Sequence, residues 1–277
     1  KMKLIADSGS TKVDWRIIFN DGSIESVGTP GINPVFLSDE HIINVLKENL
    51  LPVAGEELDE VYFYGAGVIP GEITDRMENC FKRVFPKAKC EFYSDVLAAA
   101  HALCGHEKGI ACIMGTGSNS CFYDGEKIAA NVKAGGFILG DEASGGYFGK
   151  KFIADFVKGL LPEEINNEFI KRYNLDYLAI VQKVYKEPLP SRFLASFLPF
   201  IGEYREHPHI ANLLTEGFNE FFKRNIVHYD YKNYSVNIVG SIAYYFRDFV
   251  EKAAEANGMK IGKIIKAPID GLIEFYK

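Results

Sequence analysis

The hydrophobic pattern of the chain opens on strands. Leu4 to Ala6 is an unbroken apolar run, and Val13, Trp15, Ile17 and Phe19 then alternate with more polar neighbours at period two. That spacing predicts a buried strand followed by a half-buried one, joined as a hairpin through Ser8-Gly9-Ser10-Thr11. Asn20-Asp21-Gly22 turns the chain into a short third strand, Ile24 to Gly28. The period then changes: Ser38 is placed to cap a helix on which Ile42, Ile43, Leu46 and Leu50 share one face, with Asp39 and Glu40 at its dipole-favoured end. A strand at Val61 to Tyr64, a helix around Ile73 to Val84, a strand at Cys90 to Tyr93 and an alanine-rich helix beginning just after Asp95 complete a βββαβαβα order.

Gly105 to Gly109 breaks the pattern, and a domain boundary is expected there, with residues 1–107 in the first domain and 108–277 in the second. Ile110 to Met114 predicts a strand, Gly115-Thr116-Gly117 a turn, and Cys121 to Tyr123 the returning strand. From Tyr147 the period is helical, over Tyr147 to Val157, Pro162 to Tyr173, Leu178 to Tyr185 and Ile210 to Phe222, which reads as a helical block inserted in the second domain. Ser235 to Gly258 reads as strand, turn and helix, and Gly258 to Lys263 as a turn. Ala267-Pro268-Ile269-Asp270-Gly271 then leads into a last apolar helix, placed to pack back on the first domain.

Composition narrows the partners. A chain of 277 residues with 47% hydrophobic content can bury two cores. A net charge of −6 without any lysine or arginine run argues against nucleic acid or an anionic membrane surface. No apolar stretch reaches the roughly 18 residues of a membrane span, and no signal-like segment is present, so a cytoplasmic location is expected. The five cysteines (Cys80, Cys90, Cys104, Cys112, Cys121) form no C-x-x-C pair, and the six histidines show no metal-ligand spacing. Reduced, space-filling cysteines and no transition-metal site are expected.

Three passages run from apolar strand into a small-residue turn: LIADSGSTKVDW, IACIMGTGSNS and VNIVGSIAYYF. Turns of Gly, Ser and Thr let backbone N–H groups approach an anion closely, and hydroxyls add donors, so the chemistry is phosphate handling. Two such turns about a hundred residues apart, with an acid inside the first, suggest two halves clasping one nucleotide. No P-loop is present; the spacing from Gly258 to Gly262-Lys263 is too short. A dinucleotide fingerprint fails too, because Pro70 stands where Gly65-Ala66-Gly67 would need its third glycine.

Five ordered motifs, D-S-G-S-T-K (Asp7 to Lys12), S-D-V-L-A-A-A (Ser94 to Ala100), G-T-G-S-N (Gly115 to Asn119), G-D-E-A-S-G (Gly140 to Gly145) and the Gly240-Ser241 turn, span nearly the whole chain. With them the chain resembles the N-acetylglucosamine kinase-like group of the sugar kinase–Hsp70–actin superfamily, which also holds the BadF/BadG/BcrA/BcrD activator ATPases. It departs from the family's D-G-G-G-T-K by serine at Ser8 and Ser10, which narrows that turn. The resemblance implies an α/β fold of two ribonuclease-H-like (actin-like ATPase) domains flanking a nucleotide cleft. It further implies an ATP-dependent kinase using Mg²⁺ and phosphorylating a small-molecule sugar, most simply N-acetylglucosamine or a related amino sugar at the 6-hydroxyl, and it admits a homodimer. The rivals are an activator-type ATPase serving an iron–sulfur partner and a non-catalytic binder of nucleotide or sugar.

By the same resemblance Asp7, Ser8, Gly9, Ser10, Thr11, Lys12, Gly115, Thr116, Gly117, Ser118, Gly240 and Ser241 would hold ATP, with Asp7 also anchoring the metal. Asp95 would be the general base, accepting the proton of the attacking sugar hydroxyl. Asn33, Gly67, Asn119 and Asp141 would grip the sugar, and Glu142 would be a helix cap or a supporting acid. Local sequence alone reads some of these more plainly: Asp7 as an Asx-turn cap of the hairpin, Asp95 as an N-cap, and Asn33 as a turn residue before Pro34.

Overall fold

The computed structural model describes residues 1–9 and 11–277; Ser10, expected in the first phosphate turn, lies outside the described residues. They form two compact α/β units, one made of Lys1–Glu107, Gly125–Lys127 and Ala267–Lys277, the other of Lys108–Asp124 and Ile128–Lys266.

In the first unit, β1 (Lys3–Ser8), β2 (Lys12–Ile18) and β3 (Ile24–Pro30) form an antiparallel meander. β4 (Glu60–Gly65) and β5 (Lys89–Ser94) then add parallel to β1, giving the order β3-β2-β1-β4-β5. Parallel neighbours need crossovers, supplied by the helix Asp39–Val45 and its continuation to Ala54, and by the helix Glu72–Val84. The sheet is covered on both faces, which explains the uninterrupted apolar run at its centre. Leu4 and Ala6 enter one core with Trp15, Phe63 and Phe81, whereas Ile5 enters another with Tyr64, Ala98 and Leu272.

The second face carries the helix Asp95–Cys104 and the closing helix Ile269–Phe275. Its polar stitching is an aromatic relay: Tyr64 Oη lies 2.6 Å from His101 Nδ1 and hydrogen-bonds Tyr276 Oη, while Phe275 stacks on His101 at 3.9 Å. Burial pushes the His101 pKa down to about 4, so the imidazole stays neutral near pH 7.

The second unit repeats the scheme. β6 (Gly109–Met114), β7 (Ser118–Tyr123) and β8 (Ile128–Ala130) form the meander, and β9 (Val236–Val239) and β10 (Ile261–Ile265) add in parallel, in the order β10-β9-β6-β7-β8. β10 corrects the expectation of a turn over Gly258 to Lys263. The turn is confined to its start, where Gly258 takes φ +69°, and Ile261 onward pairs with β9 and buries Ile264. Between β8 and β9 lies the helical block, including the helices Gly145–Val157, Glu163–Tyr173 and Pro208–Arg224, around a core rich in phenylalanine: Phe148, Phe152, Phe169, Phe200 and Phe218. The short helices Pro190–Ala195 and Leu198–Glu203 had no readable period. None of the five cysteines is in a disulfide, and Cys80, Cys112 and Cys121 are buried. Among the described residues no helix is long and apolar enough to cross a membrane.

Helix Gly145–Val157 packs against Pro190–Ala195 so closely that a Cβ at Gly149 would overlap the Leu194 carbonyl. Alanine would gain up to about 1 kcal/mol of helix propensity, but overpacking a contact with backbone costs typically about 1–3 kcal/mol. Gly149→Ala is therefore expected to lower the urea midpoint, and a midpoint at or above wild type would show that the two helices can part without cost.

Candidate functional site

Parallel register sets the first half of the site. Ser8, Gly65 and Ser94, the last residues of β1, β4 and β5, align in one row, so Asp7 and Asp95 flank that row at a single carboxyl edge of the sheet. This edge is where open α/β sheets hold ligands. Asp7 also pairs with Asp14 of β2 across the hairpin, and Lys12 Nζ lies 3.4 Å from Asp14 Oδ1. The Asp7 pKa is pushed up to about 7, first by burial of its carboxyl and then by the negative fields of Asp14 and Asp95, with Lys12 opposing. Burial also raises Asp95, against the backbone N–H groups of Val96 and of Asp95 itself, which stabilise its anion. The N-cap reading of Asp95 passes to its neighbour: Ser94 Oγ accepts from Leu97 N–H at 3.3 Å, and Asp95 is the first helical residue. Asp14 escaped sequence reasoning, although its place in the alternation of β2 sets it opposite Asp7.

The first turn is more committed to the fold than expected. Gly9 N–H donates to the Lys12 carbonyl at 2.9 Å, closing the hairpin. Ser8 is buried, its hydroxyl donating to the Ile32 carbonyl at 2.9 Å and accepting from Ile32 N–H at 3.2 Å. The serine that replaces a family glycine thus pins the loop carrying Asn33, while Thr11 and Lys12 remain exposed. Asn33 is indeed a turn residue, since its Oδ1 accepts from Val35 N–H at 3.0 Å. Gly67 lies against that same oxygen, where a Cβ would collide. The structure therefore brings Asn33 and Gly67 together, and among the described residues none accepts from Asn33 Nδ2.

In the second unit the Gly115–Ser118 turn is held from beneath by the helix that starts at Gly145. Gly145 N–H donates to the Gly115 carbonyl at 2.7 Å and Gly146 N–H to the Thr116 carbonyl at 3.0 Å. Ser118, where the turn ends, and Asn119 already belong to β7, and Ser118 N–H is taken by Asp141 Oδ1 at 3.1 Å. The Asp141 carboxylate also lies against Gly117, so it acts as an anchor of the turn. Gly117 N–H makes no hydrogen bond among the described residues. Asn119 Oδ1 accepts from Ser120 N–H at 2.9 Å and from Asn131 Nδ2 at 3.0 Å, a partner that no motif announced.

Gly240 takes φ +137° with a Cβ position that would overlap the Met114 carbonyl, so only glycine fits there; Ser241 beyond it is exposed. Glu142 is not the helix cap: Ser144 Oγ accepts from Tyr147 N–H at 3.0 Å, and Glu142 instead pairs with Arg224. Asp141 and Ala143 both have left-handed backbone, φ +52° and +63°, a strain that persists only where surrounding contacts impose it.

No family model matches the chain, and no curated protein sequence matches it. Solved structures do. A candidate N-acetylglucosamine kinase from Porphyromonas gingivalis is 38% identical and superposes with a TM-score of 0.94, covering 99% of this chain and 98% of that one. A candidate N-acetylglucosamine kinase from Chromobacterium violaceum, 15% identical, reaches 0.74 over 100% of this chain and 99% of that one. A ROK family glucokinase from Streptomyces griseus, in complex with glucose and AMPPNP, reaches 0.56 at 14% identity over 99% and 98%. The latter two share the fold.

The raised Asp7 pKa carries a sign. Because the folded state holds this proton more tightly than the unfolded chain, the stability that Asp7 contributes is present below about pH 4 and is lost as pH rises to about 7. Without divalent cations, Asp7→Asn is expected to melt at a higher temperature than wild type near pH 8, the gap closing toward pH 4. A gap that does not change with pH would place the Asp7 carboxyl in a solvated setting.

Proposed function

The chain belongs to the N-acetylglucosamine kinase family of the sugar kinase–Hsp70–actin superfamily, and from that premise we propose that it transfers the γ-phosphoryl group of ATP to the 6-hydroxyl of N-acetylglucosamine or a related amino sugar. The observation that carries the reading is Asp95, a carboxyl desolvated at the sheet edge whose cap duty is discharged by Ser94. A carboxylate whose proton affinity is raised above the ordinary range is a better acceptor for a hydroxyl proton. Asp95 takes the proton of the sugar O6 as that oxygen bonds to the γ-phosphorus and the bond from phosphorus to the departing ADP oxygen breaks.

Asp7 suits a hard divalent cation. Among the described residues no cluster of three or more His, Cys, Asp or Glu side chains is placed to hold a metal. Mg²⁺ needs none, since it keeps waters and binds through one or two carboxylates and substrate phosphates. The negative fields of Asp14 and Asp95 at Asp7 are what such a cation would offset, and when bound it would neutralise phosphate charge. Within the second unit, the backbone N–H groups of the Gly115–Gly117 turn, Gly117 foremost, are donors of the kind that phosphoryl transfer requires for phosphate oxygens. In the first unit Asn33 Nδ2 is a donor suited to a sugar oxygen, oriented because its Oδ1 is fixed by Val35 N–H; in the second, the Asn119 side chain is oriented in the same way by Ser120 N–H. The cysteines are scattered, three of them buried and Cys90 and Cys104 half-buried, and offer no support for an iron–sulfur coupled ATPase.

ADP release measured across a panel of hexoses and amino sugars tests the proposal. Turnover is expected to require both Mg²⁺ and sugar, with N-acetylglucosamine or a close relative preferred; release at one rate with or without every sugar favours an uncoupled ATPase. Asp95→Asn keeps the shape but removes the base, so kcat should drop by roughly 10²–10⁴ with little change in sugar affinity. Retention of more than about a tenth of wild-type turnover, with chemistry rate-limiting, would leave Asp95 a structural role.

A further inference from the structure

Glu142 follows the phosphate-turn anchor directly and sits between the two strained residues Asp141 and Ala143. It is buried, and its Oε1 accepts from Arg224 Nε at 3.1 Å, across 82 residues of sequence. Arg224 closes the 17-residue helix Pro208–Arg224 and is itself more than half exposed. That helix is locked to the helix Gly145–Val157 at Gly217, where a Cβ would overlap the Phe148 ring and press on Tyr147. The pair therefore links two ends of one packed unit: the last turn of a long helix, and the strained segment whose neighbours grip Gly115, Thr116 and Ser118 through Gly145 N–H, Gly146 N–H and Asp141 Oδ1.

We propose that Glu142 and Arg224 are positioning residues for the nucleotide turn of unit two: their ion pair fixes the Asp141–Ala143 backbone, and that backbone sets the Gly115–Ser118 turn that receives ATP phosphates. The inference rests on the nucleotide half of the function proposed above and is independent of which sugar is used. The physical ground is that a left-handed Asp and a left-handed Ala relax unless something over-determines them. Apart from its bonds to the turn itself, the segment is restrained by the Asp141 N–H bond to the Ala134 carbonyl at 3.0 Å, the Ser144 N–H bond to the Asp141 carbonyl at 3.0 Å, and the buried Glu142 carboxylate, which must meet its cation. Of these only the ion pair reaches outside the local segment. Lys150, whose charge also faces Asp141 and Glu142, donates to the Phe137 carbonyl and so braces the stretch leading into the segment.

Three variants separate positioning from plain stability, read by ADP affinity in titration calorimetry with Mg²⁺ and by thermal midpoint. Arg224→Met is expected to weaken ADP binding about tenfold and to lower the midpoint, because a buried carboxylate loses its partner. Arg224→Lys, which restores the cation, should recover most of the affinity. In Glu142→Gln/Arg224→Met the unpaired charge is gone, so the midpoint should return toward wild type while ADP affinity stays weak. Affinity that is unchanged in Arg224→Met, or that returns with the midpoint in the double variant, overturns the proposal. A wild type that binds ADP yet phosphorylates no sugar would remove the sugar reading and leave this one standing.

Discussion

Withdrawal of carboxylates from water at one sheet edge is the constraint around which the first unit is arranged. Asp7 and Asp95 flank a row of strand ends, with Asp14 across the hairpin, and desolvation is the leading cause of the raised pKa of both Asp7 and Asp95. Such a setting opposes folding, because Asp7 and Asp95 forfeit hydration and Asp7 also lies in the negative fields of Asp14 and Asp95. It persists because the supporting structure is over-built. β1 is buried on both faces, Ser8 is bonded twice to Ile32, and the helix that begins at Asp95 is capped by Ser94 and packed under the closing helix through Tyr64, His101 and Tyr276.

The two units use one topology for different electrostatic ends. In each, an antiparallel meander is followed by two parallel strands, and a small-residue turn follows the first strand. After β1 that turn is preceded by an acid; after β6 the corresponding positions are Ile113 and Met114. The strand end of the first unit thus carries an acid where that of the second carries apolar residues ahead of uncharged N–H groups, a difference that suits the cation and phosphate roles proposed for them. Where the second unit does bring an acid to its turn, as Asp141, the carboxylate is spent on Ser118 N–H and so shapes the turn.

How far the chain could be read in advance depended on the range of the interactions. Period-two and helical spacing disclosed the meanders, the crossover helices and most of the helical block, since these patterns are local. β10 was hidden because Ile261-Gly262-Lys263-Ile264-Ile265 is short and interleaved, and only pairing with β9 makes it a strand. Within the site, the motifs pointed to Asp7, Asp95, Gly117 and Asp141, but not to the local bonds that hold them and their neighbours. That Ser94 and not Asp95 caps a helix, that Ser8 stitches a loop, and that Asn131 orients Asn119 follow from side-chain geometry that adjacent letters do not encode. Asp14 was within reach, because an alternating strand that follows a tight hairpin fixes which residue faces Asp7.

Backbone strain marks the Gly140–Gly146 segment, at Asp141 and Ala143. Left-handed Asp141 and Ala143 together forgo stability, since non-glycine residues pay for that backbone with of order 1 kcal/mol or more apiece. A relaxed loop would release that energy, but it would also withdraw Asp141 from Ser118 and shift Gly145 and Gly146 from the carbonyls of Gly115 and Thr116. Three bonds to one short turn would then be lost together, leaving polar groups of a half-buried loop to find water. The strain is therefore held by the same contacts that shape the turn, and the segment and the turn are stable only as a pair.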